Sequence, residues 1–168
     1  MRALRLESPS LLAWVDPVFA GLLDCSLRVP NAPPRPLLAR APVEVDDPAW
    51  LAARFEFESP PTPTAWEILD RTPLSARLAA RPSSGMNLAI RFELTATGLV
   101  IELDASSPDA LPLEGRFLAR GPAPGVSLDP HRGFDGVEHD EAGSVAAFGL
   151  APATSHALSL SMHPGGLP

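Results

Sequence analysis

Lysine and tyrosine are absent from this chain of 168 residues, and cysteine occurs once. All 13 basic residues are therefore arginine, a bias of the kind GC-rich coding produces, and a property of the genome rather than of any mechanism. One cysteine, Cys25, excludes an intramolecular disulfide framework and a cysteine-based zinc cluster. It reads as a buried structural thiol. No run approaches the roughly 18 apolar residues of a membrane span. Leu22-Leu23-Asp24-Cys25 is no lipoprotein cleavage site, because Asp24 stands where a small residue is needed and Glu7 and Asp16 interrupt the segment before it. A soluble, cytoplasmic protein with no membrane partner is expected. The net charge of −7, with acids beside scattered arginines, argues against nucleic acid, which needs clustered cations.

What is present is a core-forming share of apolar residues, 45%, together with 21 prolines and 12 glycines. That mixture favours short elements joined by rigid turns. Two textures follow along the chain. Residues 1–82 hold all three tryptophans and much of the proline, and read as a partly helical segment. Ser10 or Asp16 is placed to cap a helix through Leu11, Leu12, Trp14, Val15, Val18, Phe19, Leu22 and Leu23. Asp47-Pro48 reads as the start of a short helix through Ala49 to Ala53. Arg54 to Glu58 alternates like a strand, and Trp66, Ile68, Leu69, Leu74 and Leu78 suggest a small helical piece. Pro82 to Gly85 reads as a linker.

Residues 86–163 read as a β-sandwich domain, with 164–168 as a tail. Leu88, Ile90, Phe92 and Leu94 alternate with Arg91 and Glu93, and Leu99, Ile101 and Leu103 with Val100, Glu102 and Asp104. Two such runs around Thr97-Gly98 predict a hairpin. Ser106 to Asp109 reads as a loop, Leu111 to Arg120 as a strand, Val126 and Leu128 as part of another, and Asp129 to Gly136 as a polar loop. Val137-Glu138-His139, a turn at Asp140-Glu141-Ala142-Gly143, then Ser144 to Phe148, a break at Gly149-Leu150-Ala151-Pro152, and His156 to Met162 complete the pattern. About seven short, closely spaced strands predict an all-β sandwich or barrel. Pro112 and Pro124 are placed to guard sheet edges.

The turn Asp140 to Gly143, then Phe148-Gly149-Leu150-Ala151-Pro152 and the alternating Leu158 and Leu160, resembles carboxypeptidase regulatory-like domains, which are small transthyretin-like antiparallel β-sandwiches. With Arg91-Phe92-Glu93-Leu94, Gly98 to Leu103, Leu113 to Phe117 and Gly121-Pro122-Ala123, it is similar to short actinobacterial proteins often encoded beside sigma factors. The resemblance implies a mainly β fold with a short, partly helical N-terminal segment. It also implies a regulatory role among signalling or transcription-linked proteins.

Catalytic patterns are missing. His131, His139, His156 and His163 could join Asp129, Asp135, Asp140 and Glu141 as metal ligands, but no HxH or HExxH spacing orders them. Asp104 and Asp109 lie beside turns, where aspartate usually caps the backbone. No Gly-x-Ser-x-Gly elbow and no phosphate loop occurs. The expectation is thus no cofactor, no metal and no enzyme, but an interaction or adaptor module in a bacterial signalling or defence complex whose partner is another protein. A sugar- or peptide-binding sandwich is the alternative, and a metal-dependent enzyme the third class. Trp14, Trp50, Trp66 and Phe134 are the candidate partner-binding residues, since exposed aromatics anchor interfaces.

Overall fold

Alternating apolar residues and frequent turn-formers build strands nearly everywhere. The computed structural model describes residues 3–41, 45–63, 65–80, 85–121 and 126–164. The strands are β1 (Leu4–Glu7), β2 (Leu11–Asp16), β3 (Gly21–Leu27), β4 (Arg35–Pro36), β5 (Ala53–Ser59), β6 (Glu67–Arg71), β7 (Ser75–Ala80), β8 (Asn87–Leu94), β9 (Leu99–Arg120), β10 (Val126–Arg132), β11 (Gly136–His139) and β12 (Gly143–Pro164). They form one curled sheet in which every described pairing is antiparallel.

Two long strands organise the sheet. The first part of β9, to Ser106, pairs with β8 and with the last part of β12. Its second part, from Leu111, pairs with the first part of β12 and with β5. The register slips where both strands bend, between Ser106–Ser155 and Leu111–Ala153. One limb is thus β6-β7-β8-β9-β12-β10, and the other is β1-β2-β3-β5-β9-β12-β11, with β4 on β3. The predicted loop at Ser106 to Asp109 and the predicted break after Phe148 are bends within continuous strands, and the predicted polar loop from Asp129 begins only after β10 ends at Arg132.

A single buried cluster fills the space between the limbs. Leu78, Leu88, Ile90, Phe92, Leu103 and Leu160 come from one limb, and Leu6, Val15, Leu22, Phe55, Phe117 and Phe148 from the other. Each such side chain contributes roughly 1.5–3 kcal/mol through burial. Phe55 meets Phe117 edge-on at 5.0 Å, and Phe57 meets Phe148 at 6.2 Å. Gly115 lies in register with both Phe57 and Phe148, which leaves room for those rings.

No α-helix occurs among the described residues, so the helical N-terminal segment is corrected. The apolar spacing of residues 11–23 is real, but it comes from a hairpin with both faces covered. Leu11, Ala13 and Val15 face the main core, whereas Trp14, Phe19 and Leu23 pack on a second cluster with Val45 and Leu51. A strand buried on both sides loses its alternation and imitates a helix. At Asp47 the predicted cap is present, Oδ1 accepting the Ala49 N–H at 2.9 Å, but it starts only a single 3₁₀ turn, Pro48–Trp50. The third predicted helix is the β6–β7 hairpin, turned by Thr72, whose Oγ1 accepts the N–H groups of Leu74 and Ser75.

Strand β6 is an exposed edge, and a register shift between Ile68 and Asp70 interrupts it. With Glu67, Asp70 and Arg71 on so short a strand, that irregularity disfavours pairing with a further strand. Pro112 lies between the Leu111–Ala153 and Leu113–Leu150 pairs, where the β9–β12 register shifts a second time. Pro124, most of the predicted linker and most of the tail fall outside the described residues.

Candidate functional site

The limb β6-β7-β8-β9-β12-β10 has one face on the core and the other open, and its antiparallel registers put the open-face residues in rows across the strands. Glu67, Ala79, Ala89, Asp104 and Ala157 form one row. Asn87, Ser106 and Ser155 form the row on one side of it. Asp70, Arg77, Arg91, Glu102, Ser159 and Arg132 form the row on the other. Ala79, Ala89 and Ala157 make a low floor, with Glu67 at its edge, from which Asp104 rises.

Above this floor lies a cleft of about 1150 Å³. Trp66 and Leu69 border it at β6, Arg77 at β7, Asn87 at β8 and Arg132 at β10. An annex of about 330 Å³ shares Arg77, Ala89 and Asp104 with it. A cavity of about 480 Å³ elsewhere has Arg54, Glu56 and Arg116 on its wall. Those three groups satisfy one another: Arg116 Nε donates to Glu56 Oε1 at 2.9 Å, and Arg54 pairs with the same carboxylate. Burial alone would raise the Glu56 carboxyl, but hydrogen bonds from Arg54 and Arg116, and their charges, outweigh it and hold its pKa below the ordinary range. The large cleft differs. Glu67, Asp104, Asn87, Arg77 and Arg132 carry no side-chain hydrogen bond or ion pair among the described residues. Groups held ready but unpaired, around an uncluttered floor, suit a ligand rich in hydroxyls.

The four residues singled out from sequence go to separate places. Trp14 packs on the second cluster, with the Arg5 guanidinium 5.8 Å from its ring centre. Trp50 is 54% exposed and lies under Arg120, which also donates to its carbonyl at 3.1 Å. Phe134 meets Phe148 edge-on at 5.7 Å. Trp66 is half-buried, packs against the core and borders the cleft. Of the four, only Trp66 belongs to the cleft's lining.

The histidines also diverge. His131 Nε2 and Ser161 Oγ lie 2.7 Å apart, His139 Nδ1 and Ser144 Oγ 2.7 Å, and His156 Nε2 donates to the Leu111 carbonyl at 2.7 Å. His163 is bonded to Asp129. Among the described residues no three His, Cys, Asp or Glu side chains gather as metal ligands do. Asp140 is a turn-maker, its Oδ1 accepting from the N–H groups of Ala142 and Gly143. Cys25 is buried in the core, where burial first and the nearby Asp24 charge second push its thiol up to about 12.

Sequence reading missed Asp104, Arg77, Asn87 and Arg132 as a set. Alternation shows that Glu102 and Asp104 share a polar face, but only the strand order brings β7 and β10 to either side of β9 and β12.

No family model and no curated protein matches the sequence. Solved structures do match. A protein of Escherichia coli K12, provisionally assigned as an aldose 1-epimerase, is similar with a TM-score of 0.68 and 10% identity over 96% of this chain and 98% of the other. A galactose mutarotase-like protein of Lactobacillus casei follows, with a TM-score of 0.63 and 10% identity over 96% and 99%. The periplasmic domain of Thermotoga maritima YidC gives 0.53 and 10% over 98% and 84%. These likenesses show the fold, and it differs from the transthyretin-like fold of carboxypeptidase regulatory domains, so that resemblance is corrected. The sequence phrases behind it are generic products of turns and strand alternation. The expectation of a non-enzyme is overturned with it, since the first two neighbours are described as an epimerase and a mutarotase-like protein. Among the described residues no helix is long and apolar enough to cross a membrane.

Proposed function

We propose that this protein is a carbohydrate-binding β protein whose site is the cleft on the open face of β6 to β10 and β12. The observation that carries the reading is Asp104 standing in a row of alanines, with unpaired Asn87, Glu67 and arginines around it. A carboxylate and an amide grip neighbouring sugar hydroxyls, an arginine fork does so from the other side, and Trp66 offers an apolar ring face to the C–H side of a sugar. The likeness to mutarotase-like structures supports the same reading. The adaptor expectation, built on missing catalytic patterns and candidate aromatic anchors as well as on the resemblance, gives way to the sugar-binding alternative, which the mutarotase-like neighbours favour.

The test is calorimetric titration with a panel of neutral and acidic mono- and oligosaccharides, against wild type and Asp104→Asn. Saturable binding to at least one sugar, lost in the variant while its melting curve is kept, is the expected result. Absence of binding across the panel would sink the reading. Polarimetry on freshly dissolved α-anomers extends the test to chemistry: an Asp104-dependent acceleration of anomer interconversion would make the cleft catalytic.

A further inference from the structure

Most arginines of the described chain have partners: Arg91 holds Glu93 and Glu102, Arg116 holds Glu56, and Arg120 lies against Trp50. Four have none among the described residues, Arg35, Arg71, Arg77 and Arg132. Two of these four, Arg77 and Arg132, line the cleft. Two carboxylates unpaired among the described residues, Glu67 and Asp104, line the same cleft and balance its formal charge, so what the arginines offer is local: two guanidinium groups, two strands to either side of Asp104, each without a described partner to neutralise it.

Their spacing limits the ligand. β7 is two strands from β9 on one side, and β10 is two strands from it on the other. Both arginines sit one row from Asp104. With strands about 4.8 Å apart and two residues of rise about 7 Å, each arginine Cα is roughly 12 Å from that of Asp104. An extended arginine side chain covers about half of this, which leaves the width of about one sugar ring on either side. A single sugar at Asp104 meets one arginine at most. A chain with acidic groups on alternate units meets both, and a volume of about 1150 Å³ has room for it.

Taking the cleft to be the sugar site proposed above, we infer that its ligand is an acidic oligosaccharide, with a neutral unit at Asp104 flanked by acidic units at Arg77 and Arg132. Guanidinium forks bind carboxylate or sulfate in two parallel hydrogen bonds, which fixes both orientation and spacing.

The probe is a hyaluronan tetrasaccharide, in which uronate and N-acetylhexosamine alternate, titrated beside its methyl-esterified form. Carboxyl-reduced chondroitin 6-sulfate tetrasaccharide serves as the sulfate-only arm. At least one acidic probe should bind about tenfold or more tighter than the neutral ester. Arg77→Ala and Arg132→Ala should each cost about tenfold on that probe, with losses that multiply, and should cost the ester, which keeps only hydroxyl contacts to them, clearly less. Arg35→Ala, which makes the same change in net charge outside the cleft, should bind like wild type. Arg77→Gln replaces Arg77→Ala if the alanine variant misfolds. If the ester binds as well as the acid and Asp104→Asn abolishes both, the cleft is a neutral-sugar site and the inference falls alone. If no acidic probe binds while sugars of the wider panel do, it falls as well. If nothing binds, the sugar reading falls with it.

Discussion

Replacing Gly115 by alanine tests the account of how the two limbs meet. A Cβ there would lie 2.2 Å from the Glu56 carbonyl oxygen, 3.0 Å from the Phe57 Cα and 3.0 Å from Phe148 Cζ. The ring can turn aside, but the carbonyl belongs to the backbone of β5, which is paired along β9 on both sides of this point. Relief therefore requires β5 and β9 to separate. Overpacking usually costs 1–3 kcal/mol, and a clash with paired backbone belongs at the top, about 3 kcal/mol. In a protein of this size each kcal/mol lowers the melting temperature by about 2–4 °C, so Gly115→Ala should melt about 6–12 °C below wild type. Gly149→Ala is the matched control. It sits one register position away on β12, and a Cβ there meets nothing within 4 Å. Its melting temperature should stay within about 2 °C of wild type, or rise, because glycine weakens a strand. Circular dichroism melts of the three proteins decide the matter. Equal melting of Gly115→Ala and wild type would refute the packing described for this junction.

The Glu56 carboxyl has its pKa lowered from 4.5 in the fold. Its contribution to stability is therefore present above the unfolded value and lost as pH falls through the lower folded value. Stability measured by urea denaturation should drop on acidification below about pH 4.5, and Glu56→Gln should flatten that part of the profile; an unchanged slope would count against the Arg54–Glu56–Arg116 cluster. Cys25, fully buried with its thiol at about 12, should resist a thiol reagent at pH 8 until denaturant is added, and rapid labelling of native protein would contradict its placement. Leu51→Ala should cost about 2–5 kcal/mol by opening a cavity under Trp14, with a red shift in tryptophan emission; an unshifted spectrum would separate Trp14 from that cluster.

Strands were legible where one face is wet. Leu88 to Leu94 and Leu99 to Leu103 alternate because their other face is the open floor, and period-two patterning reports that directly. Residues 11–23 misled because Trp14, Phe19 and Leu23 are covered from outside by a segment containing Val45 and Leu51, a contact that local sequence does not encode. The cleft was half legible. Asp104 could be placed on a polar face, yet Arg77 and Arg132 belong with it only because β7 and β10 flank β8, β9 and β12 in space. Alanine gives a sequence reader no signal at all, although Ala79, Ala89 and Ala157 create the room above the floor.

The length of β9 carries a consequence for how the chain reaches this state. One strand takes partners from β5, β8 and β12, so its two edges are closed by segments drawn from residues 53–59, 87–94 and 143–162. During synthesis, β5 and β8 emerge before it and can pair at once. The opposite edge waits until β12 is released, and until then a long strand with one apolar face has unpaired N–H and C=O groups along one side. Slow, non-local pairing with an open edge is the situation in which nascent chains associate with one another. Any truncation before Gly143 would make that passing hazard permanent.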